Sequence, residues 1–345
     1  MCRRLFLLPQ RSGDTSFSLT FAKERDYTTS MNKLLQSYYA KRDKRIKELQ
    51  KRTPYETPMT IEEICNVSYG NATHRMVDFY APMGTFGNKL PLMVLLHDNP
   101  FDGDKKDCRP FALEMARRGV LVASLNYTRA LDGQFDAFHA QLGDVFCFLD
   151  WLRVNAQALG LSLDGESADA ITVTAIALCG VGTGGHLAAT ALNVSGNRRM
   201  QEYWASASLS DYLLSPLPLS GLVAIGAPLC PRARLDKPLL GVLGSDLFGK
   251  DYRAKKGMDY LDFDANLSVD CPPVMIVTSD KDRYLKDALS TSKRLEALSL
   301  TVNLLRYPKE EDKEHVLESG FPVLYPLWRT SREANDKIAA FVRVL

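Results

Sequence analysis

The chain has 345 residues, with 43 Lys and Arg against 41 Asp and Glu for a formal net charge of +2, and it is 46% hydrophobic and 24% charged. These proportions are those of an ordinary folded globular protein, long enough for one large α/β domain or two smaller ones. The near-neutral balance excludes a global electrostatic footprint for nucleic acid. No run approaches the roughly 18 apolar residues that a membrane-spanning helix needs.

The chain opens Met1-Cys2-Arg3-Arg4-Leu5-Phe6-Leu7-Leu8-Pro9, basic like a signal peptide, but with too short an apolar run and no small-residue cleavage site after it. Residues 10–30 are polar and aperiodic, so residues 1–30 are expected to be a disordered leader. Residues 31–52 follow as a helix, with Leu35, Tyr39, Ile46 and Leu49 near one stripe. Its second half, residues 41–52, holds seven basic and two acidic residues, which leaves the rest of the chain slightly acidic. Such a helix is most simply docked by its stripe with a solvated charged face; contact with a membrane surface or an acidic protein partner is the other reading. Pro54 and Pro58 mark a linker, so residues 1–55 form an N-terminal extension and residues 56–345 the main domain.

From residue 62 the pattern changes to strands. Residues 64–69 and 73–80 flank Gly70-Asn71-Ala72 as a hairpin. Residues 90–97 are nearly all apolar, as in strands covered on both faces. Helix 109–118, strand 120–126 and a long helix over about 136–159 come next. Later strands are expected at 171–179, 221–226, 273–278 and 301–307, with helices at 186–193, 286–298 and 331–345. This alternation implies a mostly parallel sheet with helices on both faces, and ligands in such sheets bind at the carboxyl ends of the strands. His97, Gly182 and Asp282 all fall there. Residues 195–220 and 228–270 are irregular and are candidates for a lid or pocket wall.

The seven cysteines (Cys2, Cys65, Cys108, Cys147, Cys179, Cys230, Cys271) are scattered, with no C-x-x-C pair. An odd, unpatterned set reads as reduced thiols in a cytoplasmic protein, not as a disulfide framework or zinc site. No metal or other cofactor is expected. Cys179, three residues before Gly182, invites a nucleophile reading, but a strand-end cysteine is usually core.

The densest motif is Gly180-Val181-Gly182-Thr183-Gly184-Gly185-His186-Leu187-Ala188, placed between a strand and a helix. Gly180, Gly182 and Gly185 have dinucleotide-binding spacing. That motif opens the first βα unit and needs an acidic residue at the end of the next strand. Here several strands come first, and no convincing strand precedes Glu202 or Asp211. The alternative is the strand–turn–helix that presents a nucleophilic serine in G-x-S-x-G. The outer glycines Gly180 and Gly184 are present, and the middle residue is Gly182.

With His97-Asp98-Asn99-Pro100 after an early strand, this motif resembles the α/β-hydrolase superfamily, in its carboxylesterase and hormone-sensitive-lipase-like branch, across residues 62–345. That branch carries H-G-G-G at the first segment and G-D-S-A-G-G-H-L-A at the second, where six of nine positions agree here. Asn126-Tyr127-Thr128-Arg129 and the helix from Gln141 to Arg153 are also similar. The resemblance implies an α/β-hydrolase fold and a carboxylic-ester hydrolase (EC 3.1.1-like) site architecture. It places the acid at Asp282, with Asp280 as the nearer-strand alternative, and the histidine at His315. It leaves the serine position vacant, at Gly182. The oxyanion and substrate-binding residues it implies are His97, Asp98, Asn99, Pro100 and Thr183.

In such a triad the histidine takes the serine proton and the acid holds the imidazole. Pro100, where the family has glycine, has no N–H to offer, and losing one oxyanion donor typically lowers turnover about 10²–10³-fold. The expectation is therefore a pseudo-hydrolase or a binder of a small acyl or ester-like molecule. Two rival readings stay open. One is an active ester hydrolase using water or an unusual nucleophile activated by His315 and Asp282. The other is an interaction module acting through the basic helix 31–52.

Overall fold

The apolar run near residue 90 becomes β3 (Lys89–Leu96), close to the middle of a sheet that has nine strands among the described residues. The computed structural model describes residues 40–42, 44, 45, 48, 55, 58–130, 137–204, 217–235, 244, 247, 248, 252–254 and 256–345. The other strands are β1 (Ile61–Ser68), β2 (Met76–Pro82), β4 (Leu121–Leu125), β5 (Leu161–Ser162), β6 (Ile171–Val181), β7 (Gly221–Ile225), β8 (Val274–Ser279) and β9 (Val302–Tyr307). They lie in the order β1-β2-β4-β3-β6-β7-β8-β9, with β5 beside β6. Among the described strands the pairs β1–β2 and β2–β4 are antiparallel and the others parallel, so β2 is the reversed strand.

The period-2 geometry of strands sorts the core into two layers. Leu92, Val94 and Leu96 of β3 pack on one face with α2 (Ala137–Asn155) and α3 (Thr183–Gly196). Met93 and Leu95 pack on the other with α1 (Arg109–Arg117) and α5 (Arg329–Arg343). The remaining long helix among the described residues, α4 (Leu285–Ala297), joins β8 to β9. This is the doubly covered, mostly parallel sheet that the sequence reading expected. No helix among the described residues is long and apolar enough to cross a membrane.

Differences from the sequence reading are local. The hairpin connection is longer than Gly70-Asn71-Ala72, because the Tyr69 amide donates to Arg75 O and the Arg75 amide to Ala72 O, delaying β2 to Met76. The two-residue β5 is too short to carry a periodic signal. Helix α3 begins at Thr183, three residues before the expected start, with glycines inside its first turn. The irregular stretches contain a helix at Arg198–Trp204 and single turns at Lys256–Tyr260 and Phe263–Ala265. The last two are tied to α3, where His186 Nε2 donates to Leu261 O and Asn193 Nδ2 to Phe263 O. Burial pushes the His186 imidazole down to about 4, so it is a neutral packing residue. The expected leader at 1–30, the start of the basic helix at 31–39 and residues 205–216 lie outside the described residues.

Candidate active site

Strand β6 ends at Val181, and Gly182 turns the chain into α3 with φ 56° and ψ −123°. Its amide donates to Ile225 O at the tip of β7, and its carbonyl accepts from the Gly185 and His186 amides. Three neighbouring glycines are fixed by close backbone approach. A Cβ on Gly180 would lie 2.2 Å from Gly184 O, one on Gly184 2.1 Å from His97 O, and one on Gly185 2.6 Å from Ala227 Cβ. Gly182 differs from them. A Cβ there would meet the Asp98 carboxyl group, at 2.2 Å from Cγ and 2.3 and 2.4 Å from the two oxygens. The space into which a side chain at 182 would project is filled by Asp98.

Asp98 follows β3, and its carboxylate is thoroughly engaged. Oδ1 accepts from the Thr183 amide and from Thr183 Oγ1, both at 2.8 Å. Oδ2 accepts from Arg42 Nη1 at 2.5 Å, with both side chains only 13% exposed. Burial alone would raise the carboxyl pKa, but the Arg42 charge and the Thr183 and Asn99 amides overcome it and hold the group below the usual carboxylate range. The free N–H groups and dipole at the first turn of a helix favour such an anion. The donor expected to serve a substrate oxyanion, Thr183 N–H, thus serves the protein's own carboxylate.

The rest of the loop after β3 is closed on itself. His97 is buried and stacks on Tyr127 with ring centroids 4.2 Å apart. Its Nδ1 donates to Asp98 O at 2.9 Å, and its Nε2 is buried with no hydrogen-bond partner among the described residues. Burial lowers its pKa, which keeps the ring neutral. Asn99 takes a left-handed φ of 65°, and its Oδ1 accepts from the Phe101 and Asp102 amides. Pro100 contributes its carbonyl, which accepts from Ala130 N at 2.8 Å.

Asp282 lies beyond β8, where the sequence placed it. Its Oδ2 accepts from Thr278 Oγ1 at 2.9 Å, and its Oδ1 accepts from Tyr284 N at 2.8 Å and from Ser319 Oγ. Burial raises its pKa, and these three bonds offset that only in part. His315 is not brought to Asp282. Its ring is held by Asp312, 3.2 Å from Nδ1, and stacks on Trp328 with centroids 4.0 Å apart. The intervening chain explains the separation. Leu317 is buried and Gly320 packs on Val181, so Ser319 is the residue delivered to Asp282, while His315 stays in the charged loop four residues earlier. Asp280 pairs with Arg306 at the sheet edge. Cys179 is wholly buried in β6, and burial pushes its thiol pKa far up. Among the described residues, no group of three or more His, Cys, Asp or Glu is arranged to hold a metal.

A family model described as alpha/beta hydrolase fold matches residues 102–315, more than half of the chain. The chain belongs to the alpha/beta-hydrolase fold family. Among solved structures, esterase B from Lactobacillus rhamnosis is similar at a TM-score of 0.73 and 19% identity, over 90% of this chain and 93% of that one. An esterase from Pyrobaculum calidifontis is similar at 0.59 and 21%, over 91% and 94%. A bacterial heroin esterase is similar at 0.60 and 18%, over 90% and 91%. At these identities the likeness is one of fold. No curated protein matches the sequence.

Two residues at the centre of this hydrolase-fold protein had no sequence signal. Arg42 was one cation in a basic run, yet it reaches Asp98 across 56 positions. Ser319 was one hydroxyl in a polar loop. Only the expectation of a partner for Asp282, pursued past His315, would have found it.

Proposed function

We propose that this protein is an esterase/lipase-type α/β-hydrolase that does not perform serine-type ester hydrolysis, a pseudo-hydrolase. The observation that carries the reading is the Asp98 carboxylate beside Gly182, within 2.4 Å of where any side chain there would begin. Acyl transfer by a triad needs a hydroxyl, an imidazole to take its proton, and N–H donors left open for the oxyanion. Gly182 supplies no hydroxyl. Ser319, at its Asp282 contact, supplies no base of suitable pKa. Thr183 N–H is already committed to an anion.

The same features weigh against the water-based mechanism, because His315 is paired with Asp312 and not Asp282. A small acyl or ester-like ligand would have to displace Asp98 to reach the Thr183 amide. The scattered, unpatterned cysteines support a reducing, cytoplasmic setting. We treat residues 56–345 as the hydrolase domain and residues 1–55 as its extension.

The test is labelling by a fluorophosphonate probe together with turnover of short-chain nitrophenyl esters. Wild type is expected to stay unlabelled and to match the buffer rate. The triple variant Asp98→Gly, Gly182→Ser, Ser319→His is expected to label. Wild-type turnover that disappears in His315→Ala would overturn this reading in favour of the water mechanism.

A further inference from the structure

The described part of the basic N-terminal segment, Ala40, Lys41, Arg42, Lys44, Arg45 and Glu48, is helical. Two of its cations are turned onto the domain. Arg42 holds Asp98. Arg45 Nη2 donates to Tyr325 Oη at 2.7 Å and to Glu318 Oε1, with its guanidinium 5.9 Å from the Tyr325 ring centre. These anchors lie on opposite halves of the centre. Asp98 fills the space at Gly182, and Glu318 immediately precedes Ser319, the partner of Asp282.

We propose that the described helical residues 40–42, 44, 45 and 48 form a strap, clamped by Arg42 on Asp98 and by Arg45 on Glu318 and Tyr325, which holds the Asp98 carboxylate against Thr183 and so keeps the Thr183 amide closed to any ligand. The strap stands on this geometry alone and does not depend on whether the centre hydrolyses esters. The two anchors are unequal. Arg45 is 58% exposed, and an ion pair that open contributes little. Arg42 and Asp98 are 13% exposed, where removing one charge leaves the other poorly compensated. Opening therefore begins at Arg45 and is completed only when Arg42 leaves Asp98.

The basic residues of the strap make it its own reporter, because trypsin cuts after Lys41, Lys44 and Arg45 only when the backbone there is released. The full-length chain is digested briefly under native conditions, and the fragments are sized by mass spectrometry. The bonds after Lys293 and Arg294 in α4 serve as the internal reference for global unfolding. Asp98→Asn is expected to speed cleavage at 41–45 at least about tenfold relative to that reference, and Glu318→Gln about two- to threefold. The charge exchange Arg45→Glu with Glu318→Arg is expected to restore protection after Lys41 and Lys44. The proposal is overturned if Asp98→Asn leaves the ratio unchanged, whether both rates stay slow or both rise together. It is equally overturned if wild type is cut at 41–45 as fast as the unfolded chain.

Discussion

Placing serine at 182 gives a direct measure of how firmly Asp98 holds its place. The substitution carries two separable penalties. The first is backbone strain, since φ 56° with ψ −123° is a conformation glycine adopts freely and an L-residue does not. Strain of that kind costs about 1–3 kcal/mol. The second is displacement of the carboxylate, whose atoms stand 2.2–2.4 Å from the new Cβ and must move out of contact with Thr183 and Arg42. Breaking a largely buried pair of this type costs a further 3–5 kcal/mol or so. Gly182→Ser alone is then expected to lose about 4–8 kcal/mol, or about 6–12 °C in Tm at roughly 1.5 °C per kcal/mol for this chain length. In an Asp98→Ala background the second penalty has already been incurred, and the same serine should lower Tm by only about 2–5 °C. The four proteins of this cycle, compared by calorimetry and by urea melts, isolate the coupling. Equal losses in both backgrounds would refute the placement of Asp98 in the space at 182.

Other outcomes follow from the same geometry. Because the Asp98 pKa is held down in the fold, its stabilising contribution is complete above its unfolded value and disappears as pH falls through the folded one. The stability gap between wild type and Asp98→Asn should therefore be large at pH 7 and close only as pH falls below the ordinary carboxylate range, in acid titrations followed by circular dichroism. Asp282 has the opposite sign. Its pKa is raised, so its ionisation weakens the fold as pH climbs from the unfolded value through the folded one. Asp282→Asn, which keeps an acceptor for Ser319 and Tyr284 N, should be neutral or stabilising at pH 7 in urea melts. A loss above about 1 kcal/mol would contradict this. Gly184→Ala should cost about 3 kcal/mol, because its new methyl meets the His97 and Leu96 carbonyls, which cannot swing aside as a side chain can. A Tm within 1–2 °C or so of wild type would contradict that packing.

The fold was legible because its signals are local and repeated. The buried run of β3, the amphipathic α5 and the glycines at 180, 184 and 185 each carry a period or a close approach that the residue types declare. Position 182 could be read as side-chain-free from the sequence, and Asp282 as a carboxylate just beyond β8. What filled the space could not. Asp98 was expected to line an oxyanion loop, and only three-dimensional contact reveals that its carboxylate turns inward onto Thr183. The histidine was placed by chain order, which leads to the loop after β9 but says nothing of the four positions that separate His315 from Ser319, the residue bonded to Asp282. Arg42 depends on a contact spanning 56 positions, and periodicity carries no information at that range.

The inward carboxylate also bears on how such a centre could be rebuilt. Serine at 182 collides with Asp98, histidine at 319 gains no hydroxyl to act on while 182 is bare, and removing Asp98 first strips Arg42 of this counter-charge. Each single step is neutral or harmful, and the benefit arrives only once all three are in place. On the proposed reading, a route to serine-type chemistry must therefore cross a valley, and a library built one residue at a time would find nothing on the way.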